Sequence, residues 1–201
     1  MPAVPWSGVE AAARQCPRRD LPRDRTGQRR QRDLAGDFDR VHLLDLFSRA
    51  AIRYRWVCLA HCLMGNHHHL LVQLREPELS GGMRFIQTRD ARRFNARNGR
   101  QGHVFGDRFH DRRVEGNHHL LAAAVYTVLN PVRTGIVNRP DAWPWSSYRA
   151  TAGLAEAPGF LDPNLLLNML SPDPARARAL YRDLVQHYRS QATVAALGMP
   201  R

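Results

Sequence analysis

The chain has 201 residues, enough for one domain with its own core plus appendages. All 30 of its basic residues are arginine, and against 18 acidic residues they leave a formal net charge of +12, which calls for a polyanionic partner, nucleic acid or a membrane surface. No apolar run approaches the ~20 residues of a membrane span and no secretory signal pattern opens the chain, so the membrane is the lesser choice. Cys16, Cys58 and Cys62 cannot all pair with one another and read as reduced thiols of a cytosolic protein. A structural zinc site on Cys58 and Cys62 would need a second cysteine pair, which the chain lacks.

Residues 1–36 are rich in Pro and Arg and show no clear periodicity, which predicts a poorly ordered basic arm over 1–24 and at most a poor strand. From Asp37 onward, Phe38, Val41, Leu44, Phe47, Ala51 and Tyr54 recur at steps of three and four, the signature of an amphipathic helix. Trp56 to Met64 is a short apolar strand, Gly65-Asn66 a turn, and His67 to Leu74 the returning strand of a hairpin. Alternation puts His68, Leu70, Val72 and Leu74 on one face of that strand and His67, His69, Leu71 and Gln73 on the other. Leu79 to Asn98 reads as a second helix carrying Arg84, Arg89, Arg92, Arg93 and Arg97. His103 to Phe109 and Arg112 to Glu115 suggest another short hairpin. Asn117 is the expected N-cap of a third helix from His118 to about Leu129, which Pro131 should stop. Trp143 to Tyr148 forms an aromatic loop, and Asp162 to Tyr188 two short helices broken at Ser171-Pro172. The organisation expected is an arm over 1–24, a main domain over 25–150 and a helical extension over 151–201.

His67 and His69 project side by side from a rigid strand, a disposition suited to a metal that lacks a third ligand. A histidine-triad hydrolase would need a third histidine at Leu71, so that chemistry fails at the residue level. Tyr126 and Asn130 lie four apart on one face of the third helix. Tyrosine on an apolar helix is ordinarily core packing. Beside a histidine pair, Asn130 can complete the ligands and Tyr126 can attack a phosphate held on the metal. A phenol titrates near 10 and must be activated to act as a nucleophile at neutral pH.

Met64-Gly65-Asn66 before His67-His68-His69 resembles the HUH motif of single-tyrosine transposases. Tyr126 to Gly135 resembles their tyrosine helix. Gly102-His103-Val104-Phe105 with Arg108-Phe109, and Trp145-Ser146-Ser147-Tyr148, are similar to segments of the REP-associated tyrosine transposases in particular. The resemblance spans about residues 25 to 190. It implies an α+β, ferredoxin-like HUH fold, a central antiparallel sheet with helices packed on it, followed by the C-terminal helical extension. It also implies metal-dependent nicking and rejoining of single-stranded DNA through a 5′-phosphotyrosine, on repetitive palindromes that form hairpins. Tyr126 then matches the nucleophile, and His67, His69 and Asn130 the ligands of Mg²⁺ or Mn²⁺. Two departures stand out. His68 occupies a position that the motif fills with a bulky hydrophobic residue, so it must lie buried or reach solvent, and it can compete for metal. Cys16 to Pro22 carries two prolines where the family has its first strand, although Gly27-Gln28-Arg29-Arg30-Gln31 resembles the loop that follows.

Arg92, Arg93, Arg97, Arg108, Arg112 and Arg113, with Arg29 and Arg30 of that loop, are the candidate phosphate contacts. Trp143, Trp145 and Phe105 are candidate stacking platforms for unpaired bases, with core packing as the competing role. Three functions follow: a cytoplasmic, nucleoid-associated strand transferase; a domesticated hairpin-binding protein that has lost catalysis with its first strand; and a metal-dependent RNA-acting protein. Monomer and homodimer both stay open.

Overall fold

The computed structural model describes residues 11–17, 36–65, 67–99, 101–102, 104–105 and 109–190, with the backbone alone for 11–17 and 110. In chain order the elements are β1 (Ala11–Pro17), α1 (Gly36–Arg53), β2 (Trp56–Leu63), β3 (His67–Leu74), α2 (Leu79–Arg97), β4 (His110–Val114), α3 (Gly116–Arg133), α4 (Tyr148–Thr151), α5 (Asn164–Asn168) and α6 (Pro174–Ser190), with a 3₁₀ turn at Pro140–Ala142. The four strands form one antiparallel sheet in the order β2-β3-β1-β4. That order is the split β-α-β arrangement of ferredoxin-like folds.

The first strand is present, contrary to the expectation of an arm through residue 24 that at most approximates a strand. Ala11–Pro17 pairs with β3 on one side and β4 on the other. Pairing on two sides overrides the weak strand propensity of its alanines. Pro17 falls beyond the stretch that β4 pairs, which ends at Gln15, and a proline is tolerated where the ladder runs out. The partner of β4 is therefore β1, not the expected hairpin segment at 103–109. Of that segment, 103 and 106–108 lie outside the described residues, as do Pro22 and the Gly27 to Gln31 loop.

The sheet is covered on both faces. Leu70 and Val72 pack with Leu43, Leu46, Phe47 and Ala50 of α1 and Met83 and Ile86 of α2. Leu71, on the opposite face, packs with Leu120, Ala123 and Ala124 of α3, and α6 lies outside α3 through Ala177, Tyr181 and Val185. The helix expected from Asp37 is therefore found, with its buried face rotated. Phe38 and Val41 are 61% and 56% exposed, while Leu43, Leu46 and Ala50 fill the interior. Both stripes have helical spacing. The one that wins is apolar along its middle, and its polar member, Asp39, is buried against Arg97 of α2 at 2.8 Å. The third helix is longer than expected at both ends, with Glu115 rather than Asn117 as its N-cap residue. Pro131 falls within its last turn, where a missing N–H removes one ladder bond without ending the helix.

Loops cover the outer edge of β2, which limits edge-to-edge association. The Ser147 amide donates to the His61 carbonyl at 3.0 Å, and the Asp162 amide to that of Cys58 at 2.9 Å. Cys58 and Cys62 are free and buried. Among the described residues no helix is long and apolar enough to cross a membrane.

Helix α2 approaches β2 closely at Gly82. A Cβ there would run into Cζ2 and Cη2 of Trp56, and would lie 2.9 Å from its Cε2. At Gly81 it would meet the movable Glu78 carboxylate and Tyr54 Cε1 at 3.1 Å. Gly82→Ala is therefore expected to lower the unfolding free energy by ~1–3 kcal/mol through overpacking. Gly81→Ala should cost less, because Ala gains up to ~1 kcal/mol of helix propensity over Gly. Urea titrations of the two variants against wild type measure the difference.

Candidate functional site

Strand β3 carries His67 and His69 on the α3 side of the sheet. The backbone places His69 between Cys62 of β2 and Gln15 of β1, and His67 beside Pro17. The two Nε2 atoms are 3.1 Å apart, with the rings nearly perpendicular. His69 is buried and His67 half-buried. Burial pushes both imidazoles down from their ordinary value. His69 falls to about 3, with the charges of His67, His68 and Arg133 adding to desolvation and a hydrogen bond to Asn130 opposing it. At neutral pH both are neutral, the form that ligates a cation.

Helix α3 brings Tyr126 and Asn130 to this strand. The Tyr126 ring meets the His69 ring edge-on, with centroids 5.9 Å apart. The Asn130 Nδ2 donates to the Tyr126 carbonyl at 3.2 Å, and the bond to His69 favours the protonated imidazole, as an amide oxygen does when it accepts. Tyr126 is 8% exposed and Asn130 6%. Arg133, two turns beyond Tyr126, holds its guanidinium carbon 4.4 Å from the centre of the phenol ring. Its spacing of seven residues signals a shared helix face, but the sequence reading gave it no role.

His68 takes the buried option of the two expected. It is 1% exposed, on the opposite face, and edge-on to Phe47 at 5.3 Å. It points away from the His67–His69 pair and does not compete for the same ion. Burial pushes the Cys62 thiol up and keeps it protonated. No three His, Cys, Asp or Glu side chains cluster as a metal site among the described residues, so the two histidines need an oxygen donor such as the Asn130 amide. The donor set suits a divalent cation.

The arginines divide between the faces. Arg112 pairs with Ala13, which pairs with Leu71, so alternation places Arg112 on the Tyr126 side and Arg113 on the other. Arg113 lies 3.8 Å from Glu115. Arg92, Arg93 and Arg97 belong to α2, across the sheet from Tyr126. There Arg92 and Arg93 line a groove of about 590 Å³ together with Arg49, Arg89, His42, Asp45 and Leu46. Arg93 also covers Phe38 at 4.5 Å. Arg29, Arg30 and Arg108 lie outside the described residues. The candidate stacking aromatics are engaged in packing. Arg40 sits 5.3 Å over Trp143 and 5.4 Å over Trp145, the Trp143 indole N–H donates to the Leu63 carbonyl at 3.0 Å, and Phe105 packs against the α1–α2 core.

No protein-family model matches the sequence, and no curated protein matches it. Among solved structures, a REP-associated tyrosine transposase bound to a REP hairpin is similar, with a TM-score of 0.57 and 18% identity over 81% of this chain and 94% of that one. The split β-α-β sheet with helices on both faces is thus an α+β fold similar to that of the REP-associated tyrosine transposase.

Proposed function

We propose that this chain nicks and rejoins single-stranded DNA beside hairpin-forming palindromes, as a tyrosine transposase and strand transferase acting from the bacterial cytoplasm. The observation that carries the reading is the convergence on one face of the sheet of His69 with Asn130 and Tyr126, which lie more than fifty positions further along the chain. Tyr126 is the nucleophile. It attacks a phosphodiester, becomes joined to the 5′ phosphate and releases a 3′ hydroxyl. The phosphodiester bond energy is retained in the phosphotyrosine, so a second 3′ hydroxyl can reverse the step. His67, His69 and Asn130 would hold Mg²⁺ or Mn²⁺, a mixed nitrogen and oxygen set that suits Mn²⁺ and tolerates Mg²⁺. Such an ion supplies Lewis-acid polarisation of a non-bridging phosphate oxygen when bound.

Arg112 on the tyrosine side, Arg113, and Arg92, Arg93 and Arg97 across the sheet are proposed phosphate contacts, along with Arg29, Arg30 and Arg108. A DNA molecule that meets both sets must pass around an edge of the sheet. Its affinity should fall steeply with salt as counterions are released. The similar solved structure holds a REP hairpin, which supports this substrate class. The alternative, a hairpin-binding protein without catalysis, drew on an eroded first strand; the presence of β1 supports the catalytic reading, and metal binding without any adduct would favour the alternative.

Single-stranded hairpin DNA labelled at one end or the other tests the reading on a denaturing gel with Mn²⁺ or Mg²⁺. The expected outcome is a protease-sensitive, metal-dependent slow band that keeps the 3′ label and releases the 5′-labelled fragment. Retention of the 5′ label instead would reverse the polarity and contradict the proposed step.

A further inference from the structure

We propose that Arg133 is the guanidinium that clamps the phosphate attacked by Tyr126, an inference that rests on the function proposed above. Arg133 stands in the last turn of α3 with its guanidinium carbon 4.4 Å from the centre of the Tyr126 ring. Arg133 is exposed while Tyr126 is 8% exposed, so the cation beside the phenol ring is open to an approaching strand.

Arg133 differs from the arginines that face a carboxylate. Arg40, Arg49, Arg55, Arg97, Arg113 and Arg139 each meet a carboxylate. Among the described residues Arg133 makes no ion pair, and its planar fork remains open to the two non-bridging oxygens of a phosphodiester. In the transfer, the bond from Tyr126 Oη to phosphorus forms as the bond from phosphorus to the 3′ oxygen breaks. The phenol proton passes to solvent water and the departing 3′ oxygen takes one from it, so no net proton or electron is exchanged. In the transition state charge is spread over the phosphate's equatorial oxygens, and a cation fixed beside them stabilises it. The plainer role for an arginine here is to offset the negative end of the α3 dipole, which lysine performs as well.

Adduct formation by the full-length protein with Mn²⁺ and a hairpin strand separates the two roles. Arg133→Ala is expected to slow single-turnover adduct formation by about 10²-fold or more with hairpin affinity little changed, and added guanidinium ion should restore part of the rate. Arg133→Lys should fall well below wild type, because it keeps the charge and loses the fork. An unchanged rate in Arg133→Ala, or a fully active Arg133→Lys, would overturn the proposal. So would a slow Arg133→Ala that melts earlier than wild type and is not rescued by guanidinium, since that is a structural defect. Absence of any adduct with wild type would instead overturn the function itself, and this proposal with it.

Discussion

Tyr126→Phe is expected to reduce adduct formation by a factor of about 10⁴ or more, the scale seen when a covalent nucleophile is deleted, while hairpin binding persists. The substitution removes one oxygen and keeps the ring, whose contacts edge-on to His69 at 5.9 Å and with Arg133 at 4.4 Å are retained. The variant should therefore stay folded, as its melting curve checks. Other tyrosines are poor substitutes. Tyr148 and Tyr181 are buried in the α3–α6 core, Tyr188 packs against that core partly buried, and Tyr54 packs on the α1–α2 side. Full adduct yield from Tyr126→Phe would mean that the chemistry lies elsewhere on the chain.

The second large effect is acid destabilisation. His61 is 4% exposed beside Phe160, and no hydrogen-bond partner reaches its Nδ1 among the described residues. Burial pushes it down to about 4, and His69 falls to about 3. Both folded values lie below the ordinary value of 6.5, so between those limits the unfolded chain binds more protons and stability rises with pH. The stabilisation is present above pH ~6.5 and is lost on acidification toward the folded values. At pH 5 the two groups together should cost about 4 kcal/mol relative to pH 8, a large share of the ~5–15 kcal/mol that holds a typical domain. Urea midpoints measured in a chelator should therefore drop sharply between pH 7 and pH 5, because a bound cation would otherwise hold His69 neutral. His61→Leu should remove about half of that drop. A flat profile for wild type would mean that the histidines reach solvent in the folded state.

Parts of this fold were legible from residue patterns because the patterns encode local geometry. The β2–β3 hairpin follows from a Gly-Asn turn between apolar runs, and alternation along β3 assigns His67, His69 and Leu71 to one face and His68, Leu70 and Val72 to the other. Spacings of two on a strand and four on a helix were enough to single out His67, His69, Tyr126 and Asn130, which the fold brings together. Their chemical roles rest on the adduct experiments. What stayed hidden depends on distant partners. The Ala-rich β1 has no strand signature of its own and is a strand because β3 and β4 flank it. Helix α1 offers two stripes of helical spacing, and packing against α2 and the sheet selects the one through Leu43 and Leu46. Helical spacing likewise gathers the arginines of α2 without saying which side of the sheet they occupy, and that side proves to be the one away from Tyr126. Arg133 escaped notice because a basic residue in a last helical turn is common and its closeness to the phenol appears once the helix is built.

The central claim is that Tyr126 becomes covalently joined to DNA, and mass mapping of the slow band tests it most directly. Cleavage after arginine yields the peptide Val114–Arg133, whose single tyrosine is Tyr126. The account predicts that this peptide carries the nucleotide mass on Tyr126 in the presence of metal and loses it in Tyr126→Phe. An adduct mapped to any other peptide would contradict it.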